Sequence, residues 1–217
     1  PIYIGSLKKN YRGKIIGRNS CSKLSQSSFA FPLTICIIKK HIVMSKIDFL
    51  KEQIIEARTF VNRLMSELPE DLWYVIPEGT DSNFIWQVGH LLVSQNFHTL
   101  TAVTGVNEKV GRLVPPIPKY NRIFNGMGTL HRSIEKDLIP VAELREQTEI
   151  VHQICIENLE TLNDDVLAEC LQPLPFKHPV AETKYEALSW SFKHEMWHSA
   201  EMEAIKRDLG YPIVWMK

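Results

Sequence analysis

The segment HEMWH, His194 to His198, places two imidazoles four residues apart. On a helix that spacing stacks them on one face with Cβ atoms about 5–6 Å apart, so both can reach one metal ion. The same letters spell the H-E-x-x-H motif of zinc metalloproteases, whose glutamate, here Glu195, acts as general base. A third candidate is His90 in FIWQVGHLL, with Trp86, Val93 and Phe97 on its own helical face. Standing alone, it would read as a hydrogen-bonded core residue. Beside an inward-facing His194 and His198 it reads as a ligand, because three buried neutral imidazoles need partners and a divalent ion supplies them.

The protease reading lacks its remaining parts. A metzincin would continue as H-x-x-G-x-x-H, whereas His198 is followed by SAEMEAIKRDLG. A gluzincin would place a glutamate on a later helix, but only 19 residues remain. Glu195 therefore reads as a supporting or surface residue rather than a base. Glu201, one turn beyond His198, is the candidate for a fourth ligand that would close the site. His98 could line the same cavity, although its position suggests a helix end or the surface. His131, His152 and His178 lie in polar or irregular contexts, and His41 lies in the N-terminal segment.

Four apolar periodicities position these residues. The first runs Ile47, Leu50, Ile54, Ala57, Val61, Leu64, Leu68, opened by Ser45 and Asp48 and stopped by Pro69. The second starts at Asp81 or Ser82 and extends to about Gly105. The third follows Pro140 with Val141, Leu144, Thr148, Val151, Cys155, Leu159 and Leu162. The fourth opens on the capping box of Thr183 and Glu186 and stops near Gly210 and Pro212. It carries Ala187, Ser191, His194, His198, Glu201 and Ile205 on one face. Between the second and third, residues 105–139 hold prolines and glycines that exclude a long helix, and Pro173, Pro175 and Pro179 interrupt residues 163–181. The pattern predicts an all-α four-helix bundle with a long crossover connection.

Composition divides the chain in two. Residues 1–43 hold eight basic residues and no acid, leaving 17 basic and 25 acidic residues in 44–217. The basic leader competes as a targeting peptide or as sequence upstream of a start at Met44. The second reading is preferred, because Lys39, Lys40 and His41 follow the apolar run where cleavage wants small residues. Its ten-residue run is too short to span a membrane, and no interleaved aromatics suggest nucleic-acid binding. Residues 44–217 are expected to form the domain. Neither Cys155 nor Cys170 belongs to a C-x-x-C pair, which points to a reducing, cytoplasmic setting.

WQVGHLL on the second helix, followed by H-x-x-x-H and RDLG on the last, resembles the DinB-like (DinB/YfiT) superfamily, and LPEDLW between the first two helices fits as well. That resemblance spans about Met44 to Pro212. It implies a four-helix bundle that holds a divalent metal through His90, His194 and His198, with zinc or nickel first and iron or manganese as alternatives. Many members follow the second histidine with Gly-Gln, whereas this chain has Ser199 and Ala200. The resemblance further implies a low-molecular-weight thiol, of the bacillithiol or mycothiol type, as the co-substrate of a transferase. Such a site would take a small molecule beside Trp86, Trp190, Trp197 and residues 106–130, although each tryptophan alone reads as core. The alternative is a stress-response or binding module whose metal only clamps two helices. A homodimer is compatible with a bundle face, and neither a nucleic acid nor a membrane is an expected partner.

Overall fold

Ser45 begins the first helix by accepting the Asp48 N–H on its hydroxyl at 3.1 Å. This helix, α1, spans Lys46–Glu67 in a computed structural model that describes residues 44–126, 132–136 and 138–212. The leader with His41, and His131 in the crossover, lie outside the described residues. All seven residues of the apolar stripe on and just beyond α1 are buried, so the 3.6-residue period reports the core-facing side. Ahead of α2, Trp73 is buried, and its indole N–H donates to the Leu68 carbonyl at 3.1 Å.

The second helix, α2, spans Phe84–Gln95, with every residue buried. Asn83 is its cap, accepting the Trp86 N–H at 3.2 Å, in place of the expected Asp81 or Ser82. Asn83 also donates to the Ile134 carbonyl, while the Ser82 hydroxyl donates to that of Arg132 at 2.6 Å. Both residues thereby tie the crossover to the start of α2. The helix does not continue as α to Gly105; it opens into a π turn at Asn96–Thr101. Each residue of that wider turn advances fewer degrees around the axis, which changes the facing of everything beyond Gln95.

The crossover contains two short helices, α3 at Glu108–Leu113 and α4 at Ile117–Ile123. The third long helix, α5, covers Val141–Leu159. The last, α6, covers Lys184–Asp208, with the Thr183–Glu186 capping box formed in both directions. Helix α1 packs on α6 and α5, and α2 packs on α5 and α6, giving the bundle; α3 lies on α5 and α4 on α2. No helix among the described residues is long and apolar enough to cross a membrane.

The core is divided. One apolar cluster gathers Val61, Leu64, Trp73, Phe84 and Met202, and another gathers Ile47, Leu50, Ile54, Ala187 and Leu188. On α1 and α6, buried polar residues lie between them, with Arg58 separating Ile54 from Val61 and Glu195 separating Leu188 from Met202.

Candidate metal centre

His90 projects from the middle of α2, and His194 and His198 from consecutive turns of α6, so the contact between these helices brings three rings together. His194 Nε2 lies 3.4 Å from His90 Nε2 and 3.2 Å from His198 Nε2. Two nitrogens bound to one zinc ion at about 2.05 Å and the tetrahedral angle stand about 3.3 Å apart. One ligand atom from each of the three residues falls within 4.8 Å of the others. No other such group of histidine, cysteine or carboxylate residues occurs among the described residues.

The outer nitrogens have partners that fix the rings. His90 Nδ1 is 2.7 Å from the Phe124 carbonyl oxygen, and His198 Nδ1 is 2.6 Å from Gln87 Oε1. Both partners accept only, so each ring carries its proton on Nδ1 and turns the Nε2 lone pair inward. The Gln87 amide is itself oriented, its nitrogen donating to Ser82 Oγ at 2.8 Å and to Glu201 Oε2 at 2.9 Å. Burial, followed by the charge of His198, holds His90 down at about 4. Burial and the facing histidines hold His194 at about 2. Lone pairs that converge in this way form a donor set that fits a divalent ion.

Glu201 does not close this set. Its Oε2 accepts from Arg132 and Gln87 and stands 3.4 Å from His198 Nδ1, on the side of that ring away from Nε2. Burial raises its carboxyl, but hydrogen bonds from His198 and Arg132 outweigh that and hold it at about 2. The expected fourth ligand is therefore a support for the ring.

Two glycines make room for His90. A Cβ on Gly89 would overlap the Phe124 ring, and one on Gly126 would lie 2.8 Å from His90 Cε1. Gly89 thus admits Phe124 of the crossover against α2. Trp86 stacks on the His90 ring at 4.9 Å with the planes 5° apart, and the Arg132 guanidinium lies 5.1 Å from the Trp86 ring. The tryptophans are not all core: Trp86 is buried, but Trp197 is 60 % exposed beside His198. Trp190 is half-buried, 5.7 Å from His194 and 6.3 Å from Trp197. A separate groove of about 440 Å³ is lined by α3 and α5 residues, including Lys109, Leu113 and Ile150, and by none of the histidines.

Glu195 faces away from the triad. It is 2 % exposed, with Oε1 2.7 Å from Arg58 Nε, an ion pair lacking the angle of a good hydrogen bond. Burial pushes its carboxyl up to about 7 against the opposing Arg58 charge. Arg58 also donates to Gln95 Oε1 at 3.0 Å, and the Gln95 amide nitrogen donates to His152 Nδ1 at 3.1 Å. His152, expected in a polar context, is buried on this network. The glutamate of HEMWH is thus a core partner of α1, which removes the general base that the protease reading needs.

His98 and His178 also depart from expectation, since both are buried and bonded to each other at 2.9 Å. No helical period includes His178, because it follows the prolines of an irregular stretch, and the π turn alters the facing of His98. The family model of the DinB superfamily matches residues 53–202, more than half of the chain. A search of curated proteins finds no match.

Proposed function

The chain belongs to the DinB superfamily, and from that premise we propose that it is a metal-dependent transferase acting on a low-molecular-weight thiol. His90, His194 and His198 hold one divalent ion through Nε2. The observation that carries this is the convergence of three Nε2 atoms, with the His90 and His198 rings turned by acceptors on their far sides. A divalent ion in such a site supplies positive charge that favours the deprotonated form of a water or thiol at its open position.

The chain's own residues supply the rest. Phe124 and Gln87 hold the His90 and His198 rings in one tautomer, and Glu201 with Arg132 steadies Gln87. Trp190 and the exposed Trp197 offer an apolar rim beside His194 and His198 on which a substrate's carbon frame can rest. In the transfer, the thiol gives its proton to solvent and its sulfur forms a bond to an electrophilic carbon. The leaving group departs from that carbon with the bonding electron pair. A cytoplasmic setting accords with the free Cys155 and Cys170. The position of Glu201 favours a three-ligand site over a closed, purely structural clamp.

The test is transfer of a small thiol such as 2-mercaptoethanol or cysteine to 1-chloro-2,4-dinitrobenzene, with zinc-loaded, nickel-loaded and metal-free protein compared. Metal-dependent turnover that disappears in His194→Ala supports the reading. Metal uptake with no acceleration across a panel of thiols would leave the clamp.

A further inference from the structure

His98 and His178 form a second histidine pair beside the first. His178 Nδ1 accepts the backbone N–H groups of Ala181 at 3.0 Å and Val180 at 3.3 Å. A neutral ring occupied in this way carries its proton on Nε2. That Nε2 lies 2.9 Å from His98 Nδ1 and donates to it. His98, accepting on Nδ1, must then carry its own proton on Nε2. The pair is therefore a relay of fixed direction, from the loop backbone through His178 to the Nε2–H of His98.

The surroundings indicate what that proton serves. The His98 ring contacts His178, its neighbour Phe97, and His194, which it meets edge-on at 5.5 Å. With Nδ1 committed to His178, Nε2 has no hydrogen-bond partner among the described residues. The π turn at Asn96–Thr101 brings His98 towards the side of α2 that carries His90, and π turns of this kind recur at functional sites. Phe97 stacks on His178 at 5.3 Å, walling the pair on its apolar side.

We propose that His98, oriented by His178, donates a hydrogen bond from Nε2 to an anionic atom of the ligand bound at the His90–His194–His198 centre. This rests on the metal reading and deepens it. The site takes a small anion, or a substrate presenting a thiolate or oxyanion, and gives it a fixed donor besides the ion.

Two measurements test it. Nitrogen-15 NMR of the metal-free protein should report the Nε2–H tautomer for both His98 and His178; an Nδ1–H tautomer at His98 would overturn the proposal. Azide is then titrated into cobalt(II)-loaded protein by visible absorption. His98→Phe keeps the ring shape without the donor, and should take up cobalt as the parent does while binding azide about ten-fold more weakly. His98→Gln, which retains a donor, should recover part of that loss, and His178→Ala should show a smaller one. Unchanged azide affinity in His98→Phe overturns this inference alone, as does loss of cobalt from that variant, which would make His98 part of the metal-holding frame. A parent that takes up no cobalt overturns both this inference and the metal reading beneath it.

Discussion

Gln87 Oε1 accepts the Nδ1 proton of His198 at 2.6 Å, joining a side chain from the first turn of α2 to a ring about four turns along α6. That bond sets which nitrogen of His198 faces the other two histidines. Outer partners of metal-binding histidines change affinity by about 10–100-fold when removed. Gln87→Leu is expected to weaken zinc binding within that range while leaving His90, His194 and His198 in the sequence. Competition with a chromogenic chelator measures it. An unchanged affinity would mean that Gln87 serves only the fold.

Gly89 is expected to tolerate no side chain, since a methyl group would overlap the Phe124 ring. Gly89→Ala must push Phe124 aside, and overpacking of this kind costs about 1–3 kcal/mol. The Phe124 carbonyl would move away from His90 Nδ1 at the same time. Denaturant unfolding should therefore show lower stability and zinc titration a weaker site. Ala at the open position Gly111 should do neither.

Arg58 lies in the core opposite Glu195, each nearly inaccessible. Removing one member of such a pair leaves the other charge buried, at a cost of about 3–5 kcal/mol. Arg58→Met should destabilise strongly, whereas Arg58→Met combined with Glu195→Leu should recover much of the loss. Metal uptake by the folded double variant should match the parent, since neither residue touches the histidine triad.

Acid should loosen the metal-free protein. His152 is held down at about 3, by burial first and then by Arg58, against about 6.5 in the unfolded chain. The unfolded form binds the extra proton, so this stability is fully present above pH 6.5 and is lost as the pH falls towards the folded value. His98 acts in the same direction. Glu195 acts in the opposite direction, because its raised carboxyl favours the folded form as the pH falls from about 7 towards the ordinary range. His90, His178 and His194 are lowered in the same way in the metal-free protein, so the histidines outweigh the one glutamate and give a net fall in the unfolding temperature below pH 6.5. His152→Gln should make that fall shallower, as followed by circular dichroism between pH 7.5 and 5.

Residues that obey a period were legible in the sequence. The α1 stripe, the Thr183–Glu186 box and the inward placement of His90, His194 and His198 all follow from helical spacing. Glu201 shows the limit of that logic. Spacing placed it on the histidine face, but the bonds from Arg132 and Gln87 hold its carboxylate at the outer nitrogen of His198. Asn83 shows another limit: three adjacent residues could each cap α2, and tertiary bonds to the crossover choose among them. His178 follows no period, and its site depends on a loop returning to α2. The Arg58–Glu195 pair was hidden because its partners come from helices far apart in sequence. A single arginine within an apolar stripe was the one available sign.

Metal content per chain tests the three-histidine centre most directly. Elemental analysis on untagged protein would compare the parent with His90→Ala and His194→Ala. About one divalent ion per chain in the parent, and almost none in either variant, is the expected result. Metal that survives in His90→Ala, or a parent that takes up none even after loading, would contradict the centre described here.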